Sequence, residues 1–174
     1  MKRNFQKIIS NKLKTPQEIL DIKSKLQKEN KTLAFTNGCF DILHRGHIEY
    51  LSKASELADF LVIGLNSDAS VKAQNKSPER PINNQEARAI NLSALLFVDA
   101  VVIFEETTPN ELINLIVPDV LVKGGDYDTK ETNPSSKKYI IGSDTVLKSG
   151  GEVITIPLVE GYSTTSILQK MNKP

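Results

Sequence analysis

The sequence has a single cysteine, no tryptophan, only four Tyr and six Phe, and no excess of either charge sign. Each scarcity excludes something. Cys39 alone cannot form an internal disulfide, so a reducing, cytoplasmic setting is expected. With 22 basic and 21 acidic side chains the formal net charge is +1, which leaves no basic excess for nucleic acid, and the sparse aromatics offer no platform for stacking bases. No apolar run approaches the roughly 20 residues of a membrane span. Met1 to Leu20 carries scattered Lys, Asn and Gln where a signal peptide has an unbroken apolar stretch. The chain is therefore expected to be soluble, with neither nucleic acid nor membrane as partner. Its 174 residues fit one domain with a real core and leave little room for a second.

Short apolar runs rich in β-branched residues are present throughout. Thr32–Thr36, Phe60–Leu65, Ala100–Phe104, Val120–Val122 and Glu152–Ile156 read as five strands. Most are apolar almost throughout instead of alternating, as strands covered on both faces are. Helical patterns lie between them at about His47–Leu57, Asn84–Leu96, Pro109–Ile116, Ser143–Lys148 and Thr164–Met171. Strand–helix alternation with short connections predicts a parallel, doubly wound, five-stranded α/β sheet with helices on both faces. Residues 1–30 are expected to form an N-terminal helical extension to a domain spanning 31–174. Its helix, roughly Thr15–Lys28, starts with an N-cap threonine, a proline and an acidic first turn. Two polar segments break the pattern: Lys72–Asn84, with Pro78 and Pro81, is expected to be a mobile loop, and Asp126–Ser136 a second loop. Both follow predicted strand ends, where open α/β sheets bind ligands.

The stretch Thr36-Asn37-Gly38-Cys39-Phe40-Asp41-Ile42-Leu43-His44-Arg45-Gly46-His47 opens just past the first strand and closes on a helix start. Both histidines of the chain sit in it as an H-x-G-H unit. A helix beginning near Gly46 aims unsatisfied N–H groups and its positive dipole end toward the strand ends, which makes an anion site. A lone histidine there would be read as a helix cap in a phosphate binder that does no chemistry; a pair at this position favours chemistry. Two imidazoles are too few ligands for a metal, and Cys39 and Asp41 do not complete a zinc spacing, so no protein metal site is assigned.

With these residues the sequence resembles the H-x-G-H nucleotidyltransferases, whose fold is Rossmann-like. The resemblance continues through Asn66–Lys72, Arg80–Asn83, Gln85–Arg88, Val98-Asp99, Pro118–Tyr127 and Gly161–Thr165. In this order and spacing they look like the D-glycero-D-manno-heptose 1-phosphate adenylyltransferases, over about Thr32–Lys170. That family transfers AMP from ATP to the sugar 1-phosphate, which yields ADP-heptose and pyrophosphate.

The resemblance implies that His44 and His47 contact phosphates, that nearby anions favour their protonated form, and that Lys72 is a mobile-loop lysine completing the catalytic set. Thr36, Asn37, Gly38, Phe40, Gly46, Arg88, Gly124, Asp126, Ser163, Thr164 and Thr165 are expected to bind the nucleotide. Arg80 and Asp41 are candidates for the phosphate or acceptor. Each has a plainer alternative: Lys72 as one surface lysine among many, Arg88 as a solvated helical residue, Ser163–Thr165 as helix caps, Lys123 as a strand-end charge, Cys39 as packing. Mg²⁺ is expected as the ATP counter-ion, held by phosphates and water. A homodimer is left open. Forms fused to a sugar kinase exist in the family; this chain has no room for one, so a separate kinase is expected. The competing functions are a glycerol-3-phosphate cytidylyltransferase-type enzyme, which shares the histidine pair and the Ser-Thr-Thr helix start, and a non-catalytic nucleotide-binding protein. Against the former stand Lys123–Tyr127, Asn37–Asp41 and Gly150–Val153; the polar insert at Thr129–Lys138 bears on the acceptor.

Overall fold

The computed structural model describes residues 4–74 and 79–171. Five strands, β1 (Leu33–Gly38), β2 (Phe60–Asn66), β3 (Ala100–Phe104), β4 (Val120–Gly124) and β5 (Glu152–Ile156), form one parallel sheet in the order β3-β2-β1-β4-β5. Helices α1 (Phe5–Ser10) and α2 (Pro16–Lys28) precede the sheet. Between and after the strands run α3 (Arg45–Ser55), α4 (Asp68–Ala73), α5 (Gln85–Ser93), α6 (Asn110–Ile116), α7 (Ser143–Lys148) and α8 (Thr164–Met171).

Alternate residues of each strand feed two separate cores. On one face Ala34, Leu61, Ile63 and Val122 pack with Tyr50, Leu51 and Ala54 of α3 and Ala89 and Leu92 of α5. On the other, Leu33, Phe35, Val62 and Leu121 pack with Ile19 of α2, Ile113 and Ile116 of α6 and Val146 of α7. Both faces of every central strand are covered, which is why the strand sequences show so little polar alternation. The expected doubly wound α/β architecture is the one observed.

Chain order runs outward from β1 in both directions, so the order reverses between β1 and β4. There the flanking helices diverge and leave a crevice at the carboxyl ends of the strands. Both strands reach further into it than their apolar runs indicate. β1 continues through Asn37 and Gly38, paired with Gly64 and Leu65, and β4 through Lys123 and Gly124, paired with Thr155 and Ile156. The ladder of the neighbouring strand carries these polar residues, and local hydropathy does not register that.

Helix α2 opens on a reciprocal cap: the Glu18 N–H donates to Thr15 Oγ1 (3.2 Å) and the Thr15 N–H donates to Glu18 Oε2 (2.8 Å). The segment before it is tied to the edge strand, with the Lys14 N–H donating to the Val101 carbonyl (2.9 Å) and the Val101 N–H to the Lys12 carbonyl (2.8 Å). Helices α1 and α4, six residues each, are not expected from the sequence; fewer than two turns show little period, although α7, equally short, is placed between two predicted strands. Asn84 caps α5, which ends at Ser93 instead of running to Leu96; Leu96 stands 94% exposed in the turn beyond. Lys72 lies in the last turn of α4 and not in a loop. Of the expected mobile loop, residues 75–78 lie outside the described residues.

Candidate active site

The H-x-G-H unit folds as the start of α3. His44 is its N-cap, in an extended conformation (φ −142°, ψ 170°), and its Nδ1 accepts the His47 N–H at 3.3 Å. A cap bond at Nδ1 leaves a neutral His44 ring with its proton on Nε2. The His47 ring stacks on that of His44, with centroids 3.8 Å apart and planes 19° from parallel, and Phe40 meets His47 edge-on at 5.2 Å. Phe40 itself has a left-handed backbone (φ 45°), a conformation uncommon for an aromatic residue and often found where a site constrains the chain. Gly46 leaves little space for a side chain: a Cβ there would lie 3.1 Å from the His44 ring and 3.3 Å from Tyr162 Cβ, so the stacked ring would have to give way.

Burial lowers the pKa of both rings. His47 is pushed down to about 4 by desolvation first and then by the neighbouring His44; the Ile42 backbone acts in the opposite sense, and His47 Nδ1 is buried with no hydrogen-bond partner. For His44 the cause is burial alone. Without an anion in the cleft, burial thus favours the neutral form of both rings. Only an anion brought against them could favour the imidazolium forms.

The pair opens on a cleft of about 550 Å³ at the β1–β4 reversal. Of the residues picked out from sequence, Asn37, Gly38, Phe40, His44, Gly46, His47, Arg80, Gly124, Asp126, Ser163, Thr164 and Thr165 line it together. Segments from the two ends of the domain thus converge, and the α8 start faces the same space as the α3 start. Ser163 caps α8, accepting the Ser166 N–H at 3.0 Å, so the Ser-Thr-Thr sequence is a helix cap as well as part of the cleft wall.

Four chosen residues do not line the cleft. Thr36 is buried, its Oγ1 2.7 Å from Tyr50 Oη. Asp41 is a buried anchor: its carboxylate accepts Arg80 Nε at 3.1 Å, the Ile82 N–H at 2.9 Å and the Asn83 N–H at 2.9 Å. Lys72 is exposed on α4. Arg88 is fully buried, and its guanidinium is spent on the protein: Nε donates to the Asn83 carbonyl (3.0 Å), Nη1 to the Cys39 carbonyl (2.7 Å) and Nη2 to Asp68 (2.7 Å). The reading of Arg88 as a nucleotide contact is corrected on that geometry. It braces the loop after β1, the segment before α5 and α4, and so shapes the cleft from behind.

Sequence reasoning passed over Lys123. The residue is only 7% exposed, lines the cleft and donates from Nζ to Asn37 Oδ1. The signal was a lone lysine inside an apolar strand, Val120-Leu121-Val122-Lys123. Tyr50, Tyr127, Leu158 and Val159 are among the other residues that line it. A second cavity, about 670 Å³, opens at the amino ends of β4 and β5 beside Lys23 and Asp119, with none of the histidine or helix-start chemistry. Among the described residues no group of three His, Cys, Asp or Glu is arranged to hold a metal, and no helix is long and apolar enough to cross a membrane.

Fold and site together define a nucleotide-handling α/β protein with two helix N-termini turned on one cleft. The family follows from comparison with known proteins. The sequence profile of the cytidylyltransferase-like family matches residues 35–170. A bifunctional protein HldE of Campylobacter concisus (strain 13826) is 52% identical over 168 residues, 97% of this chain and 32% of that protein. A bifunctional protein HldE of a Nitratiruptor species is 52% identical over 159 residues, 91% of this chain and again 32% of that protein. Among solved structures, a lipopolysaccharide core biosynthesis protein from Thermoplasma volcanium GSS1 superposes with a TM-score of 0.56 at 26% identity, covering 76% of this chain and 99% of that one. The chain belongs to the cytidylyltransferase-like family. It spans about a third of the length of the curated relatives it matches.

Proposed function

We propose that the chain transfers AMP from MgATP to D-glycero-D-manno-heptose 1-phosphate in the cytoplasm, giving ADP-heptose and pyrophosphate. The observation that carries this reading is the stacked His44–His47 pair at the start of α3, across one cleft from the Ser163–Thr165 start of α8. An oxygen of the sugar phosphate attacks the α-phosphorus in line. The bond from that phosphorus to the oxygen bridging to the β-phosphate breaks, and pyrophosphate leaves with its Mg²⁺. Both reactants are anions, so the protein's task is placement and charge stabilisation. The α3 and α8 N-termini offer backbone N–H groups and dipole ends to the polyphosphate. His44 Nε2–H donates to it, and that hydrogen bond strengthens as negative charge moves onto the leaving group. No covalent protein intermediate is needed, and Cys39 acts only as a wall residue.

The identity with the HldE proteins over almost the whole chain supports the heptose acceptor, as does likeness to a lipopolysaccharide core biosynthesis protein. The polar segment Asp126–Ser136 supplies hydroxyls and carboxylates suited to a many-hydroxyl sugar. The test is pyrophosphate release from four nucleoside triphosphates crossed with a panel of sugar and polyol phosphates. ATP with the heptose phosphate is expected to give the highest kcat/KM. A higher value for CTP with glycerol 3-phosphate would replace the assignment, and no release with any pair would mark a nucleotide-binding protein without transferase activity.

A further inference from the structure

Lys123 is the only basic residue in the five strands, and it stands where β4 meets the cleft. Its Nζ has Asn37 Oδ1 as its hydrogen-bond partner and lies 5.6 Å from the centre of the Tyr127 ring. Among the described residues no carboxylate comes within 4.0 Å of it. Arg80, the other cleft-lining cation within a strand or its connecting loops, already pairs with buried Asp41 at 3.1 Å. An ammonium with three donors, one neutral acceptor and almost no water is costly to bury, and an anion entering the cleft would relieve the cost.

We propose that Lys123, oriented by Asn37, is the contact for the attacking phosphate of the acceptor. The proposal rests on the transferase reading of the same cleft. Two phosphate groups must meet there from opposite sides in an in-line displacement. The helix starts of α3 and α8 serve the polyphosphate; Lys123 belongs to neither and rises from the strand floor between β1 and β5. Its burial also draws its pKa down to about 8, with Asp126 opposing, as for a cation whose partner is missing.

Steady-state kinetics of K123M and K123R, with ATP and the sugar phosphate varied separately, tests this. In K123M the KM for the acceptor is expected to rise at least tenfold while the KM for ATP stays within twofold, and K123R is expected to recover part of the loss. An unchanged acceptor KM overturns the proposal, and so does an equal loss for ATP, which would make Lys123 a nucleotide contact. A parallel titration uses inorganic phosphate on protein saturated with a non-hydrolysable ATP analogue. If the wild type turns over no sugar phosphate, the transferase reading fails and this titration decides Lys123 alone. Phosphate binding lost in K123M supports the anion contact; an identical isotherm overturns it. Should K123M fail to fold, K123Q, which keeps a polar donor for Asn37, enters both measurements on the same terms.

Discussion

The back wall and the floor of the cleft each hold a buried cation, and the two are buried in opposite ways. Behind the wall, Arg88 meets three protein acceptors within 3.0 Å and nothing of it reaches the cleft. On the floor, Lys123 has one neutral hydrogen-bond partner and faces the cavity. Burial alone therefore does not separate a structural charge from a functional one; the satisfaction of its donors does. A planar fork that three acceptors fill is a brace. An ammonium left short of acceptors is a cost that the fold carries in the absence of an anion.

Breaking the brace should have the largest effect. Arg88→Met strands the Cys39 and Asn83 carbonyls and removes the partner of Asp68, a loss of about 3–5 kcal/mol in stability by chemical denaturation. If R88M instead keeps wild-type stability and loses ATP affinity, the contrast with Lys123 collapses and Arg88 is a ligand after all. Next come the histidines. His44→Ala and His47→Ala should each lower kcat about 100-fold or more, equivalent to about 3–4 kcal/mol of lost transition-state stabilisation, with smaller changes in ATP binding. Near-wild-type turnover in both would remove the pair from the chemistry.

Relieving the floor should act in the other direction. Lys123→Met is expected to stabilise the fold by about 1–4 kcal/mol at neutral pH, because an apolar side chain replaces a poorly compensated charge. The folded ammonium has its pKa lowered to about 8 from 10.5, so its penalty is complete below pH 8 and fades as pH rises toward the unfolded value. The stability gap between K123M and wild type should therefore narrow between about pH 8 and pH 10.5. A gap of the opposite sign, with the variant less stable, would mean that the Asn37 bond is a structural tie like those of Arg88. The smallest effect is expected from Lys72→Ala. An exposed cation on α4 outside the cleft acts through screened solvent, so kcat/KM should fall less than about threefold at physiological salt. A hundredfold loss would show that α4 brings Lys72 into the site during turnover.

Much of this molecule is written locally. The short β-branched runs place β3 and β5 to the residue, because each run is bounded by residues of quite different character and its bounds are set within the segment itself. Thr15-Pro16-Gln17-Glu18 starts α2 through a cap closed within four residues. His44-Arg45-Gly46-His47 makes its own helix start, cap and ring stack inside one turn, so its place at the mouth of the first crossover was legible as soon as β1 was. What tertiary structure decided is the fate of the cations. Arg88 reads as one more polar residue on a helix until the Cys39 carbonyl, 49 positions away, closes on its guanidinium. Lys123 reads as the end of a strand until Asn37, 86 positions away, and the β5 ladder draw it into the cleft floor. Local propensity sets the course of the chain, whereas the solvation of a charge is set by whatever the fold packs around it, and those neighbours come from segments that no window of sequence holds together.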